Sequence, residues 1–198
     1  MKKLFPILFI SLFIFSCDSD SNPMNPTLCD ESIEVELWGE CYNIETTLSL
    51  NLTSSGLTGE IPSEIGNLTN LTSLYLNGNQ LTGEIPSSIG NLTNLTRMSL
   101  GINQLTGELP SEIGNLTNLE QLWLYETQLT GEIPPEIGLL TNLTLLILRN
   151  NQFTGVLPVE ICDQGVSTPS VGYNKLCPSY PSCISQSDID SQDTSNCP

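Results

Sequence analysis

The sequence predicts an α/β solenoid, a coil of short repeats with a parallel β-sheet along one side and extended or 3₁₀ segments along the other. Two observations support this fold class. The segment "LTGEIPSSIGNLTN" at 81–94 returns with few changes at 57–70, 105–118 and 129–142. Leucine, asparagine, glycine and proline also recur at fixed places within each unit. Such regularity builds a core spread along the coil rather than one globular centre.

Aligned units give the period of the coil. They begin at Thr47, Leu71, Leu95, Leu119 and Leu143, with a partial sixth unit from Val166, so that five full repeats and one partial repeat fill 47–176. Leucines at the fourth and sixth places, such as Leu74 and Leu76, alternate with polar residues, as a half-buried strand requires. We therefore expect one short strand per 24-residue unit, stacked in a parallel sheet.

A buried asparagine ladder is expected directly after this strand. Asn79, Asn103, Asn151 and Asn174 occupy the ninth place, where an amide can satisfy backbone groups of adjacent coils. Ser55 and Thr127 interrupt the ladder, so we expect a less tightly held coil there. The following T-G-E-I-P segment contains a bend-forming glycine and a proline that forbids a long helix. The far side of the coil should therefore be extended or 3₁₀.

The consensus of these units is L-x-x-L-x-L-x-x-N-x-L-T-G-x-I-P-x-x-I-G-x-L-x-N. This pattern resembles the plant-type leucine-rich repeat over about residues 47–176. The resemblance implies a right-handed superhelix with a curved parallel sheet on its concave side, a second short strand near Leu-Thr-Gly, and disulfide-closed caps. It also implies a non-enzymatic binding module, because similar repeats bind peptides or polysaccharide-acting enzymes.

The same resemblance extends to both ends of the coil. The stretch "CDESIEVELWGECYNIETTLSLNL" resembles the family's N-terminal cap, assigned to 28–46, and implies a Cys29–Cys41 disulfide with Trp38 covering the first leucines. "NKLCPSYPSC" resembles the C-terminal cap, assigned with an acidic tail to 177–198, and implies Cys177–Cys183. Parity then pairs Cys162 with Cys197, although four cysteines allow three connectivities.

The first residues resemble an export signal. Two lysines precede an apolar run from Leu4 to Phe15, which is too short for a stable membrane span and defines a signal peptide over 1–16. Ile14 to Cys17 resembles a bacterial lipobox with an unusual Phe15, which predicts lipidation at Cys17 and anchoring at the outer membrane or cell surface. A plain signal peptide is the alternative. The polar segment 17–27 reads as a flexible acidic tether.

Composition excludes several function classes. Downstream of residue 16, only Arg97, Arg149 and Lys175 oppose 22 acidic residues, a formal charge of −19, so nucleic acid is not expected as a partner. The chain has no histidine and no paired C-x-x-C spacing, so we predict no metal site and no cofactor. The repeated T-G-E-I-P glutamates lie on an open surface rather than in a cleft, so we predict no enzyme activity.

Specificity is expected where the repeats differ. The third, fifth and seventh places of each unit face outward from the sheet, and we name as the concave patch the large residues found there. They are Tyr75, Arg97, Trp123, Tyr125, Ile147 and Arg149. Exposed aromatic and arginine side chains are typical of recognition surfaces. The competing interpretation is that Arg97 and Arg149 merely pair with Glu120 and Glu126.

Two ligand classes compete for this patch. An extracellular or surface protein would use the whole concave face, and the resemblance favours it. A glycan would stack on Trp123 or Tyr125, with an arginine contacting a carboxylate. A purely structural envelope lipoprotein is the third hypothesis and requires no patch.

Overall fold

A computed structural model describes residues 29–162 and 169–198. The predicted signal peptide, the lipidation site Cys17, the tether and the start of the partial repeat at Val166 lie outside these ranges. Within them, no helix is both long and apolar enough to cross a lipid bilayer.

A parallel sheet of five strands forms one side of the coil. Its strands, each three residues long, are β3 (Ser49–Asn51), β5 (Ser73–Tyr75), β7 (Arg97–Ser99), β8 (Gln121–Trp123) and β9 (Leu145–Ile147). Each strand pairs with the equivalent residues of the next repeat, so that Leu50, Leu74 and Met98 lie in one row. The predicted parallel sheet is confirmed, with one strand per repeat.

The opposite side of the coil consists of 3₁₀ helices. They are η1 (Ser63–Asn67), η2 (Ser87–Asn91), η3 (Ser111–Asn115), η4 (Pro135–Leu139) and η5 (Val159–Cys162). The first four each follow an extended proline, as at Pro62 with φ −61° and ψ 136°. The helix therefore starts abruptly after the T-G-E-I-P segment and lasts only one or two turns.

A second ladder of backbone hydrogen bonds runs between these two sides. β4 (Thr58–Gly59) pairs with β6 (Gln80–Leu81) in parallel, and isolated bridges such as Glu108 to Thr130 continue the ladder. Gly83, which precedes the glutamate of its repeat, has a φ of +73°, a region that favours glycine. The glycine of T-G-E-I-P is therefore required by the bend, as the sequence predicts.

The core is a continuous column of leucine and isoleucine. Leu71, Leu74, Leu76 and Leu81 of one repeat are all fully buried. The ladder asparagines connect adjacent coils: the Asn103 side chain accepts the Leu81 N–H at 3.1 Å and donates to the carbonyls of Leu76 and Leu100. Each such amide satisfies buried backbone groups that no strand or helix partner reaches.

The ladder is incomplete at Thr127, as predicted. Its hydroxyl donates to Oδ1 of Asn151, but it does not replace the amide of an asparagine. In the other repeats the corresponding N–H donates to the ladder, as Leu129 does to Asn151 at 3.2 Å. The N–H of Leu105 has no hydrogen-bond acceptor in the part of the chain that the structure describes.

The N-terminal cap is an antiparallel hairpin of β1 (Glu34–Leu37) and β2 (Glu40–Asn43). Cys29 bonds to Cys41, the pairing that the family resemblance implies. Trp38 packs against the core, and its indole N–H donates to the carbonyl of Glu60 at 3.2 Å. The hairpin thus covers the first coil and is linked to its far side.

The predicted disulfides of the C-terminal cap are wrong. Instead of Cys177–Cys183 and Cys162–Cys197, the structure forms Cys162–Cys183 and Cys177–Cys197. The reason is that the chain crosses the open end of the coil after Cys177, with Ile184 buried against the core. It reaches Cys162 at the end of η5 and then returns toward Cys177.

A short helix completes this cap. α1 (Gln186–Asp190) and the serine that follows it supply acceptors to the last edge of the concave sheet. The Asp188 carboxylate accepts the Val171 N–H at 3.2 Å, and the Ser191 hydroxyl accepts the Tyr173 N–H at 2.9 Å. Side chains therefore replace the next repeat, so that the parallel sheet ends without an open strand edge.

Candidate binding surface

The fifth-place residues form one continuous row across the concave sheet. Tyr75, Ser99, Trp123 and Ile147 are direct neighbours in the register of β5, β7, β8 and β9. Ser99 is only 6% exposed although it points out of the sheet, since the larger Tyr75 and Trp123 flank it. The row therefore presents two aromatic side chains and an isoleucine over a small central residue.

The seventh-place residues form a second, stacked row beside the first. The Tyr125 ring lies directly against Gly101: a Cβ placed on this glycine would lie 2.8 Å from the ring. The Arg149 guanidinium carbon lies 5.9 Å from the centre of the same ring. Tyr125 is thus enclosed between a glycine and a cation, in the geometry of a cation–π contact. Its ring orients Arg149 rather than standing free.

The two arginines differ in their partners. Arg97 lies 4.0 Å from the Glu120 carboxylate, and both side chains are nearly half exposed. The competing interpretation, that the arginines merely pair with glutamates, is therefore partly right for Arg97. Such an exposed ion pair adds only about 0 to 1 kcal/mol to the free energy of unfolding. Arg149 forms no ion pair with any residue that the structure describes, Glu126 included. Its contact with Tyr125 leaves its charge available.

Every residue of the concave patch lies on this one face. Arg97 is the third-place residue of its strand, and Trp123 and Tyr125 lie at adjacent outward places. Sequence reasoning missed Gly101, whose role depends on Tyr125 in the next repeat. The sequence carried a signal for this role. Thr53 and Asn77 occupy the seventh place in the two preceding repeats, so the fold itself does not require a glycine at Gly101.

The glutamates of T-G-E-I-P line three shallow grooves on the far side of the coil. Glu60, Glu84, Glu108 and Glu132 lie in equivalent surroundings, each with its side-chain carbons near the glycine of the next repeat. Acid–base chemistry on a glycoside requires two carboxylates with different environments. The four glutamates have the same environment, so they do not provide two unlike carboxylates.

Groups with shifted pKa values lie in the two caps. Hydrogen bonds from Ser32 and Ser195 hold the pKa values of Asp30 and Asp193, respectively, below the usual range. Burial raises the pKa of Tyr180. These groups lie away from the concave patch, in hydrogen-bonded turns that close the ends of the coil.

One group of potential metal ligands also lies in a cap. Sulfur and carboxylate atoms of Cys29, Glu34 and Cys41 lie within 4.8 Å of one another. The two sulfurs form a disulfide, however, and metals bind the thiolate form. This group therefore belongs to the structure of the cap.

A comparison with protein families assigns the fold. Residues 47–154 match the leucine-rich repeat region family. This chain belongs to that family. Its repeats therefore form the predicted leucine-rich-repeat solenoid. No curated protein matches the sequence.

Solved structures place this leucine-rich repeat protein near extracellular plant domains. The ectodomain of the Arabidopsis receptor kinase HAESA, bound to an IDA peptide hormone, is 40% identical with a TM-score of 0.61, covering 63% of this chain and 21% of that chain. A chain of the BIR3–SERK2 complex from Arabidopsis thaliana is 32% identical, with a TM-score of 0.58. The match covers 73% of this chain and 74% of that chain.

A plant ice-binding protein is also similar, at 33% identity and a TM-score of 0.57, covering 65% of this chain and 42% of that chain. The chain spans only about a fifth of the length of the RGFR1, HAESA and PEPR1 chains that it matches.

Proposed function

We propose that this protein is a non-enzymatic, secreted binding module that recognises a protein or peptide ligand on its concave face. The observation that carries this proposal is the row of Tyr75, Trp123 and Ile147 across the sheet, with Ser99 between the two aromatic residues and an oriented Arg149 beside the row. Similar plant proteins solved in complex with RGF2 and with an IDA peptide hormone support the same ligand class. Aromatic and arginine side chains are the residues that dominate binding energy in such interfaces.

The geometry favours an extended peptide over a single sugar. Arg97 and Arg149 are two strands and four strand residues apart, so a ligand contacting both spans about 16 Å. Tyr125 is enclosed by Gly101 and Arg149 and is poorly placed for sugar stacking. A glycan would therefore depend on Trp123 and Tyr75, whereas a peptide can use the whole patch.

Secretion is part of the proposal. Three disulfides are typical of proteins folded in an oxidising compartment. They use six of the seven cysteines, which leaves Cys17 for the predicted lipid anchor. Mass spectrometry of the protein from its native membrane checks this anchor. An unacylated N-terminus would remove the lipoprotein part and leave the binding surface unaffected.

Random-peptide display against the purified protein tests the concave site. We expect selected peptides to lose affinity by about 30-fold or more for Trp123→Ala, because a central aromatic anchor contributes about 2 kcal/mol or more. Thr93→Ala, an exposed change on the opposite edge of the coil, is the matched control and should bind normally. Peptides that bind Trp123→Ala as tightly as wild type would refute the assignment.

A second candidate function is ice binding. It is suggested by the similar plant ice-binding protein, and a specific feature of this chain favours it. The tripeptide Gln-Leu-Thr recurs at 80–82, 104–106 and 128–130, with Gln-Phe-Thr at 152–154. These glutamines and threonines form a regularly spaced file on one flank, with the glutamates of T-G-E-I-P beside the threonines. Inhibition of ice recrystallisation by the purified protein tests this function, and its absence would eliminate it.

A further inference from the structure

The eighth place of each repeat lies at the end of the concave surface, directly after the outward seventh place, and we call its residues the rim. The backbone of every rim residue is left-handed, with φ between 52° and 73°. Glycine adopts such angles freely and asparagine tolerates them, whereas a side chain branched at Cβ is strained. The rim residues are Ser54, Gly78, Ile102, Glu126, Asn150 and Tyr173.

Ile102 is the rim residue that the stability of the coil explains least. It is the only rim residue branched at Cβ, and its φ is 54°. Burial does not offset this strain, because 45% of its surface is exposed to solvent. The neighbouring repeats form the same turn with Gly78 and Glu126. A strained, exposed apolar side chain that the fold does not require points to a role in contact with a ligand.

Ile102 is continuous with the concave patch. It directly follows Gly101, against which the Tyr125 ring lies, and its N–H donates to the Tyr125 carbonyl at 2.9 Å. The Arg149 guanidinium lies on the same ring, one repeat further along the coil. Three neighbouring repeats therefore offer, in order, an apolar side chain, an aromatic ring and a cation.

The charges around Ile102 indicate the chemistry of the ligand. Ile102 and Arg149 are two repeats and one strand residue apart, about 10 Å, which equals about three residues of an extended chain. Glu126, the next rim residue, is exposed, and its negative charge disfavours an acidic group directly beside Ile102. Arg149 has no carboxylate partner among the residues that the structure describes, so an acidic side chain is favoured there.

We propose that Ile102 is a specificity-determining residue of the concave site. It binds an apolar side chain of an extended peptide that carries an acidic residue about three positions away, at Arg149. This inference rests on the peptide binding proposed above and names the ligand more closely. The backbone strain at Ile102 is then a loss of stability that is retained because the side chain contributes to binding.

Ile102→Asn tests this role with two measurements that should move in opposite directions. Peptides selected by display on the wild-type protein should bind the variant about fivefold or more weakly, because an apolar contact is lost. The melting temperature should rise by about 2 to 4 °C, because asparagine tolerates the left-handed backbone. A variant that merely damaged the fold would lose both affinity and stability.

Ile33→Asn is the matched control. Ile33 is similarly exposed, at 48%, and directly precedes β1, which packs beside η1 on the far side of the coil. The same change of side chain at this site should leave peptide affinity unchanged and should not raise the melting temperature. It therefore separates a specific contact at Ile102 from a general loss of exposed apolar surface.

A double-mutant cycle with the peptide identifies the contact itself. Alanine at the apolar peptide residue should weaken binding to the wild type and have little further effect on Ile102→Asn. Strictly additive losses for every apolar peptide residue would overturn the contact.

The outcomes for Ile102 and for the concave site are distinguishable. Wild-type affinity of Ile102→Asn, together with a loss for Trp123→Ala, would overturn the role of Ile102 and leave the concave site intact. Equal losses for Ile102→Asn and Ile33→Asn would overturn it as well. Wild-type affinity of both Ile102→Asn and Trp123→Ala would refute the concave site, and this inference with it.

Discussion

Completing the asparagine ladder should stabilise the coil. Thr127 occupies the ladder position of its repeat, and the N–H of Leu105 lacks the acceptor that Asn103 provides for Leu81. Thr127→Asn places an amide oxygen at this N–H. The Asn103 and Asn151 side chains show that the surrounding backbone accommodates an amide at this depth.

The magnitude follows from the bonds gained and lost. An asparagine at 127 accepts one buried N–H and donates to the carbonyls of Leu100 and Leu124, as Asn151 does to Leu124 and Leu148. It gives up the one hydrogen bond of the Thr127 hydroxyl with Asn151. Since a net hydrogen bond contributes about 1 kcal/mol and these carbonyls already have partners, we expect a gain of about 1 to 2 kcal/mol.

Guanidinium denaturation and amide hydrogen exchange measure this gain. The denaturation midpoint should rise with an unchanged m-value, because the surface exposed on unfolding stays the same. Exchange of the Leu105 amide should slow most, since its hydrogen acquires an acceptor. Asn103→Thr is the reverse control and should cost about 1 to 3 kcal/mol. An unchanged midpoint together with unchanged Leu105 exchange would refute the role assigned to the ladder.

Three further predictions concern strain, packing and covalent structure. Ile102→Asn should raise stability by about 1 kcal/mol by relieving a side chain held at φ 54°, measured by the denaturation midpoint; a lower midpoint would contradict it. Gly101→Ala should displace the Tyr125 ring and change the near-ultraviolet circular dichroism of the folded protein, whereas an unchanged spectrum would disprove the contact. Peptide mapping should recover Cys162–Cys183, and its removal by Cys162→Ser with Cys183→Ser should cost about 3 kcal/mol; recovery of Cys177–Cys183 would contradict the cap.

The repeat determined what could be predicted from the sequence. The places of Leu74 and Asn79 hold the same residue class in several repeats. One argument about packing or hydrogen bonding therefore applies to many positions. The parallel register follows, because a constant period of 24 residues brings equivalent residues together. Strand and 3₁₀ positions were therefore predictable without knowledge of long-range contacts.

The C-terminal cap was not predictable in the same way. Its disulfides depend on the path of one unrepeated segment across the end of the coil, and sequence separation does not reveal that path. Cys183 lies closer in sequence to Cys177, yet burial of Ile184 carries it to Cys162. The glycine at the seventh place gave a signal for Gly101, but its contact with Tyr125 depends on one ring conformation across two repeats, which the sequence does not show.

The solenoid separates the groups that stabilise it from the groups available to ligands. Leucines and ladder asparagines point inward and support every coil, so substitutions of outward residues need not disturb the core. The concave face varies along the coil and suits a ligand with one specific sequence. Trp123→Ala should therefore lower the affinity for selected peptides and leave the melting temperature of the protein nearly unchanged. A clearly lower melting temperature for Trp123→Ala, with peptide affinity unchanged, would instead assign this side chain to the packing of the coil.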